Sequence, residues 1–215
     1  MEIQMSIVRK RLAPFARAGW ILVTLLFAGL TPLVVWAQAN DTAAQIAAAV
    51  LPLPESMRAG ATVVSRGEKG AITVLRKGSN DMVCTADQPG DQTFYVNCFH
   101  ESIFALMKRT TELSNELSRA GAPASGKALD EALDKEIKAG KFKLPSHPTI
   151  GFQMRGPVSG YNAATNTVSS EIKAWQMVML PYETGASLSL PDKPNANMPW
   201  VMNAGTWAAH IMIEH

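Results

Sequence analysis

The first 39 residues constrain this chain most, because they have the three-part organisation of a secretory signal. Arg9, Lys10, Arg11 and Arg17 form a positive start, and an apolar run extends from Trp20 to Trp36. Ala37-Gln38-Ala39 then supplies the small-x-small pattern that signal peptidase accepts. Positive charge holds the start on the cytoplasmic side while the apolar run enters the bilayer. Cleavage is expected after Ala39, leaving residues 40–215 as a single exported domain, periplasmic or extracellular. The competing reading is an uncleaved anchor, since about 17 apolar residues reach the lower limit for a span. Pro32 and the cleavage pattern favour removal, and no later stretch is long enough to cross a membrane.

Removing the leader changes the charge argument. The whole chain carries +2, but the leader's four basic residues and one acid account for +3, leaving −1 on the exported part. A near-neutral domain has no electrostatic footprint for a polyphosphate, so nucleic acid is excluded as a partner.

Cys84 and Cys98 are the only two cysteines, and both lie in the exported part. In an oxidising compartment such a pair reads first as a disulfide. Closing a loop of about 15 residues contributes roughly 3 kcal/mol in the chain-entropy model. The alternatives are a redox pair or metal ligands, but thioredoxin-like chemistry wants Cys-x-x-Cys and zinc sites want more ligands.

Hydrophobic periodicity divides the rest. Thr42 to Val50 is an Ala-rich helix ended by Pro52 and Pro54. Residues 61–65 and 71–76 read as a β-hairpin, and Met82 to Thr85 as a third short strand carrying Cys84. From about Cys98 the period becomes 3.6, with Ile103, Leu106, Met107, Leu113 and Leu117 on one helical face. Gly121 and Pro123 stop that helix, and a second is expected from Ser125 to Ala139, with Glu131–Lys135 and Asp134–Lys138 paired on a solvated face. Residues 150–161 alternate as a strand. Residues 168–180 form a longer one, with Trp175, Met177 and Met179 opposed to Ile172, Ala174 and Val178. Residues 181–199 form a long loop, and Ala208 to Glu214 a last strand. The fold expected is α+β: a mainly antiparallel sheet with two helices inserted mid-chain and packed on one face.

Several of these segments carry a resemblance. Met82-Val83-Cys84-Thr85-Ala86-Asp87 leads to Val96-Asn97-Cys98-Phe99-His100, and later come Pro181-Tyr182-Glu183-Thr184-Gly185 and the closing Pro199 to Met212 segment. Together they resemble a group of exported bacterial proteins that carry no assigned function. The resemblance implies a bacterial, periplasmic setting and brings no activity with it.

Candidate chemistry is sparse. Gly156-Pro157-Val158-Ser159-Gly160 places its serine one position late for a nucleophile elbow and reads as a bend in a strand. His100, Glu101, His210, Glu214 and His215 are metal-capable, and Met177, Met179, Met202 and Met212 are soft donors. Yet His-Glu without a second His four residues on is not a zincin motif, and methionines spaced by two on a strand usually fill a core. Trp200, Trp207 and His210 can line a small-molecule pocket with residues 181–199 as its lid, or the tryptophans can simply close the core around a buried histidine. The sequence thus favours a binding module for a small molecule or an envelope protein. The alternatives are an enzyme using His210 with His100 or Glu214, with or without a metal, and a structural module; no cofactor is named by any motif. Protein recovered after export is expected to begin at Asn40 and to weigh two hydrogens less than the reduced chain, which an intact mass measures.

Overall fold

The computed structural model describes residues 41–67, 70–195 and 198–214. The leader, its cleavage point and His215 lie outside the described residues. In chain order, helix α1 covers 41–49 and α2 Glu55–Arg58, followed by strands β1 (Thr62–Arg66), β2 (Ile72–Arg76), β3 (Met82–Thr85) and β4 (Thr93–His100). Helices α3 (Glu101–Arg119) and α4 (Lys127–Lys138) come next, then β5 (Thr149–Pro157), the short pair β6 (Tyr161–Asn162) and β7 (Thr167–Val168), and β8 (Lys173–Met179). The one-turn helix α5 (Gly185–Leu188) precedes β9 (Trp200–Met202) and β10 (His210–Glu214).

Eight strands form one sheet in the order β2-β1-β3-β4-β5-β8-β10-β9. Only β1 and β3 run parallel; every other neighbour is antiparallel. The class is therefore α+β with a mainly antiparallel sheet, as the periodicity predicts. Some elements depart from the sequence reading. Residues 93–100 form an eight-residue central strand, and the helix begins only at Glu101. Apolar residues spaced for a helix overlap the end of a strand buried on both faces, and periodicity alone cannot separate the two. The expected 168–180 strand is likewise split into β7 and β8.

A disulfide joins Cys84 to Cys98, which stand directly opposite each other in the β3–β4 register. Side chains alternate across a strand, so this pairing assigns every neighbour to a face. Cys84, Cys98, Val63 and Phe152 look to the back, where Ala49, Val50 and Leu53 close over them. The Sγ of Cys98 lies 3.4 Å from the carbonyl oxygen of Ala49. Arg58 secures this N-terminal segment by donating from Nε to the Leu53 carbonyl at 2.8 Å and from its terminal nitrogen to Leu51 at 2.9 Å.

The opposite, front face is covered by α3. Phe99, Ile103, Met177, Met179 and Met212 form one buried cluster between helix and sheet. Leu106 and Leu113, on a second stripe of α3, meet Leu133 of α4 and Trp207. The left-handed Gly121 ends α3, its N–H bonding to the Ser118 carbonyl while Ala122 bonds back to Leu117.

The charges between the two helices are not simply solvated. Arg109 donates through Nε and a terminal nitrogen to both carboxylate oxygens of Glu136, each at 2.8 Å, and also holds Glu116. The Arg109 and Glu136 side chains are only 17% and 13% exposed, so water screens this pair weakly. The guanidinium bonds hold both glutamates below their ordinary 4.5. Asp134 is engaged by the Tyr182 hydroxyl at 2.8 Å rather than by the predicted partner Lys138.

Glu136→Gln is expected to lower the unfolding free energy by about 2 kcal/mol in a denaturant titration, whereas Glu112→Gln, at the exposed margin, changes it by less than about 0.5 kcal/mol. Because folding depresses the pKa of Glu116 and Glu136, their contribution is full above 4.5 and is lost as pH falls below it.

Candidate functional site

Packing α3 onto the front face leaves a cavity of about 360 Å³ near one end of the helix–sheet interface. Its floor is apolar: Phe99 and Met179 come from the sheet, and Ile103 and Met107 from α3. Phe99 lies there because its partner across β5 is Gly151, and a Cβ at that position would stand 2.7 Å from the Phe99 ring. Thr110 and Thr111 border the cavity from α3, with hydroxyls that donate to the carbonyls of Leu106 and Met107.

Polar groups gather at the rim. Arg66 enters from the end of β1, Asp130 from α4, and Asn203, Trp207 and His210 from the closing segment. That segment is held in place by backbone bonds from Tyr182 to Thr206 at 2.7 Å and from Gly205 to Glu183 at 2.8 Å. His210 sits 2.7 Å through Nδ1 from the Ala208 carbonyl. A carbonyl can only accept, so Nδ1 carries the proton and Nε2 is left as a lone pair. Burial pushes the His210 pKa below its ordinary value, the bond to Ala208 opposing, so the ring is neutral at pH 7.

Two rim atoms lack what burial demands. Arg66 Nε and Trp207 Nε1 are both buried with no hydrogen-bond partner. Each is a donor that cannot accept, and Trp207 is 5% exposed, so ordinary surface hydration does not account for its N–H.

The predicted residues divide sharply. His210 and Trp207 line the cavity, whereas Trp200 does not; it packs beside Met212 in the α3–sheet cluster. His100 is not a companion of His210. It lies on the back of β4, three strand pairings from β10 and so about 14 Å across the sheet. There its Nδ1 caps α3 by accepting from the Ser102 N–H at 3.3 Å. Glu214, one full strand length from His210, faces Lys173 at 3.2 Å. The enzyme constellation of His210 with His100 or Glu214 is therefore not assembled. Met177, Met179 and Met212 are core, Met202 is 40% exposed, and among the described residues no three His, Cys, Asp or Glu side chains are grouped so as to hold a metal ion.

The 181–199 loop is not the lid either. None of its described residues lines the cavity, and it carries α5 with a Thr184–Ser187 capping box. Tyr182 ties it to α4, burial and Asp134 pushing the phenol pKa up to about 12. Sequence reading missed Arg66 altogether, for it belongs to no motif and shares the cavity lining with Phe99 only because folding sets β1 and β4 in one sheet under α3.

No family model, curated protein or solved structure matches the chain.

A lowered histidine pKa means that the unfolded chain takes up the proton first. His210 therefore contributes stability above its ordinary 6.5 that is lost as pH falls below that value. Thermal unfolding between pH 7.5 and 5.5 is expected to fall in the natural protein and to flatten in His210→Gln.

Proposed function

We propose that this is an exported binding module whose cavity beneath α3 takes a small molecule with an apolar body and a hydrogen-bond-accepting head. The observation that carries the reading is the pair of donor-only groups, Arg66 Nε and Trp207 Nε1, buried without partners at the rim of an apolar cavity. An unmade buried hydrogen bond costs about 1–3 kcal/mol, which a ligand oxygen recovers. Apolar walls with a few polar groups, at a volume of about 360 Å³, match the ordinary character of small-ligand sites. Export rests on the leader pattern, and the buried Cys84–Cys98 bond is consistent with it.

Thermal unfolding of the exported protein tests the reading with two probes, leucine and 4-methylpentanoate, at millimolar concentration. A rise of several degrees with at least one is expected, reduced in Arg66→Gln and in Gly151→Ala, whose added methyl collides with the Phe99 ring on the cavity floor. If neither probe moves the transition, or if Gly151→Ala folds and binds unchanged, the cavity reading fails.

A further inference from the structure

Arg66 is a wall of two hollows. On its far side lies a second one, of about 190 Å³, lined by Thr85, Asp87, Asp91 and Asn97 among others. The two are neighbours on the same face of one strand. Phe99 floors the first and Asn97 lines the second, two positions apart on β4 and so about 7 Å along the sheet.

The chemistry of the second hollow is the complement of the first. Asn97 Oδ1 and Thr85 Oγ1 are buried without a partner, and their residues are only 3% and 6% exposed. They stand directly opposite each other in the β3–β4 register. Asp87 adds a carboxylate, one of whose oxygens accepts the Tyr95 N–H at 2.8 Å. Burial raises the Asp87 pKa, the Tyr95 bond opposing and the neighbouring Asp91 charge adding to it. Three acceptors thus gather where the first cavity offers donors, with a guanidinium between them.

We propose that the two hollows are one bipartite site for a free α-amino acid with an apolar side chain. In it Arg66 takes the carboxylate, Thr85, Asn97 and Asp87 take the ammonium, and the floor beneath α3 takes the side chain. An ammonium presents three N–H donors, one for each acceptor. An α-amino acid carries its positive charge and its carboxylate on one carbon, and Asp87 and Arg66 both line this hollow. A divalent metal ion fits less well, because the Arg66 cation borders the same space.

This inference rests on the cavity reading, and isothermal titration of the exported protein separates the two. Leucine is expected to bind at least about tenfold more tightly than 4-methylpentanoate, which lacks only the amino group. Thr85→Val and Asn97→Leu are expected to weaken leucine by about tenfold while leaving 4-methylpentanoate within about twofold. Thr85→Val keeps the side-chain shape and decides alone if Asn97→Leu does not fold. Equal binding of the two probes overturns the amino-acid assignment and leaves the cavity reading standing, as does leucine binding that Thr85→Val does not change. Displacement of leucine by calcium ion also overturns it, making the second hollow a cation site. Absence of binding by both probes overturns both readings together.

Discussion

The pairing of Cys84 with Cys98 sets the terms for the rest of the molecule. A slip of one residue between β3 and β4 would move every side chain on one strand to the other face. The covalent bond between directly opposed residues forbids that slip. It places the sulfurs at the back under α1 and, by alternation, puts Thr85 against Asn97 and Val83 against Phe99 at the front. The residues that shape the two hollows therefore owe their side of the sheet to a bond on the opposite side.

The two faces then diverge in how completely they are covered. At the back, apolar contacts from Ala49 to Leu53 fill the space over the disulfide, and Arg58 satisfies the carbonyls where the chain turns. At the front, α3 seals Met177 and Met212 but leaves its margin open towards Arg66. Farther along β4 the face reaches solvent, where Tyr95 is 39% exposed beneath the Arg155 guanidinium. The Arg109–Glu136 bonds hold α4 against α3, which keeps Asp130 at the cavity rim and Leu133 against Trp207. Closure at one end and incomplete cover at the other produce a cavity without any dedicated loop to enclose it.

Much of this architecture was legible from local pattern. The β1–β2 hairpin, both long helices and the glycine that ends α3 follow from period and turn chemistry, each decided within a few residues. His210 and Trp207 were legible as site candidates because a histidine and a tryptophan stand out beside a strand start. Their companions were misjudged for a physical reason. His100 carries equally suggestive chemistry, but its ring is consumed in capping α3. Trp200 lies two strands from the helix–sheet cavity's wall at Met179 and packs half-buried against the core cluster instead. Thr85 and Asn97 were hidden inside apolar strands, where a polar residue has no meaning until its cross-strand neighbour is known.

By itself the sequence determined the α+β class and the bonding partners of the only two cysteines, because these depend on composition and period. Only the tertiary structure decided that Arg66, Thr85, Asn97, Trp207 and His210 come to one side of one sheet. Those residues are up to 144 positions apart, and strand order with register, neither of which leaves a local trace, brings them there. It likewise decided that Trp207 Nε1 and Arg66 Nε remain without partners, since whether a buried donor is satisfied depends on everything folded around it.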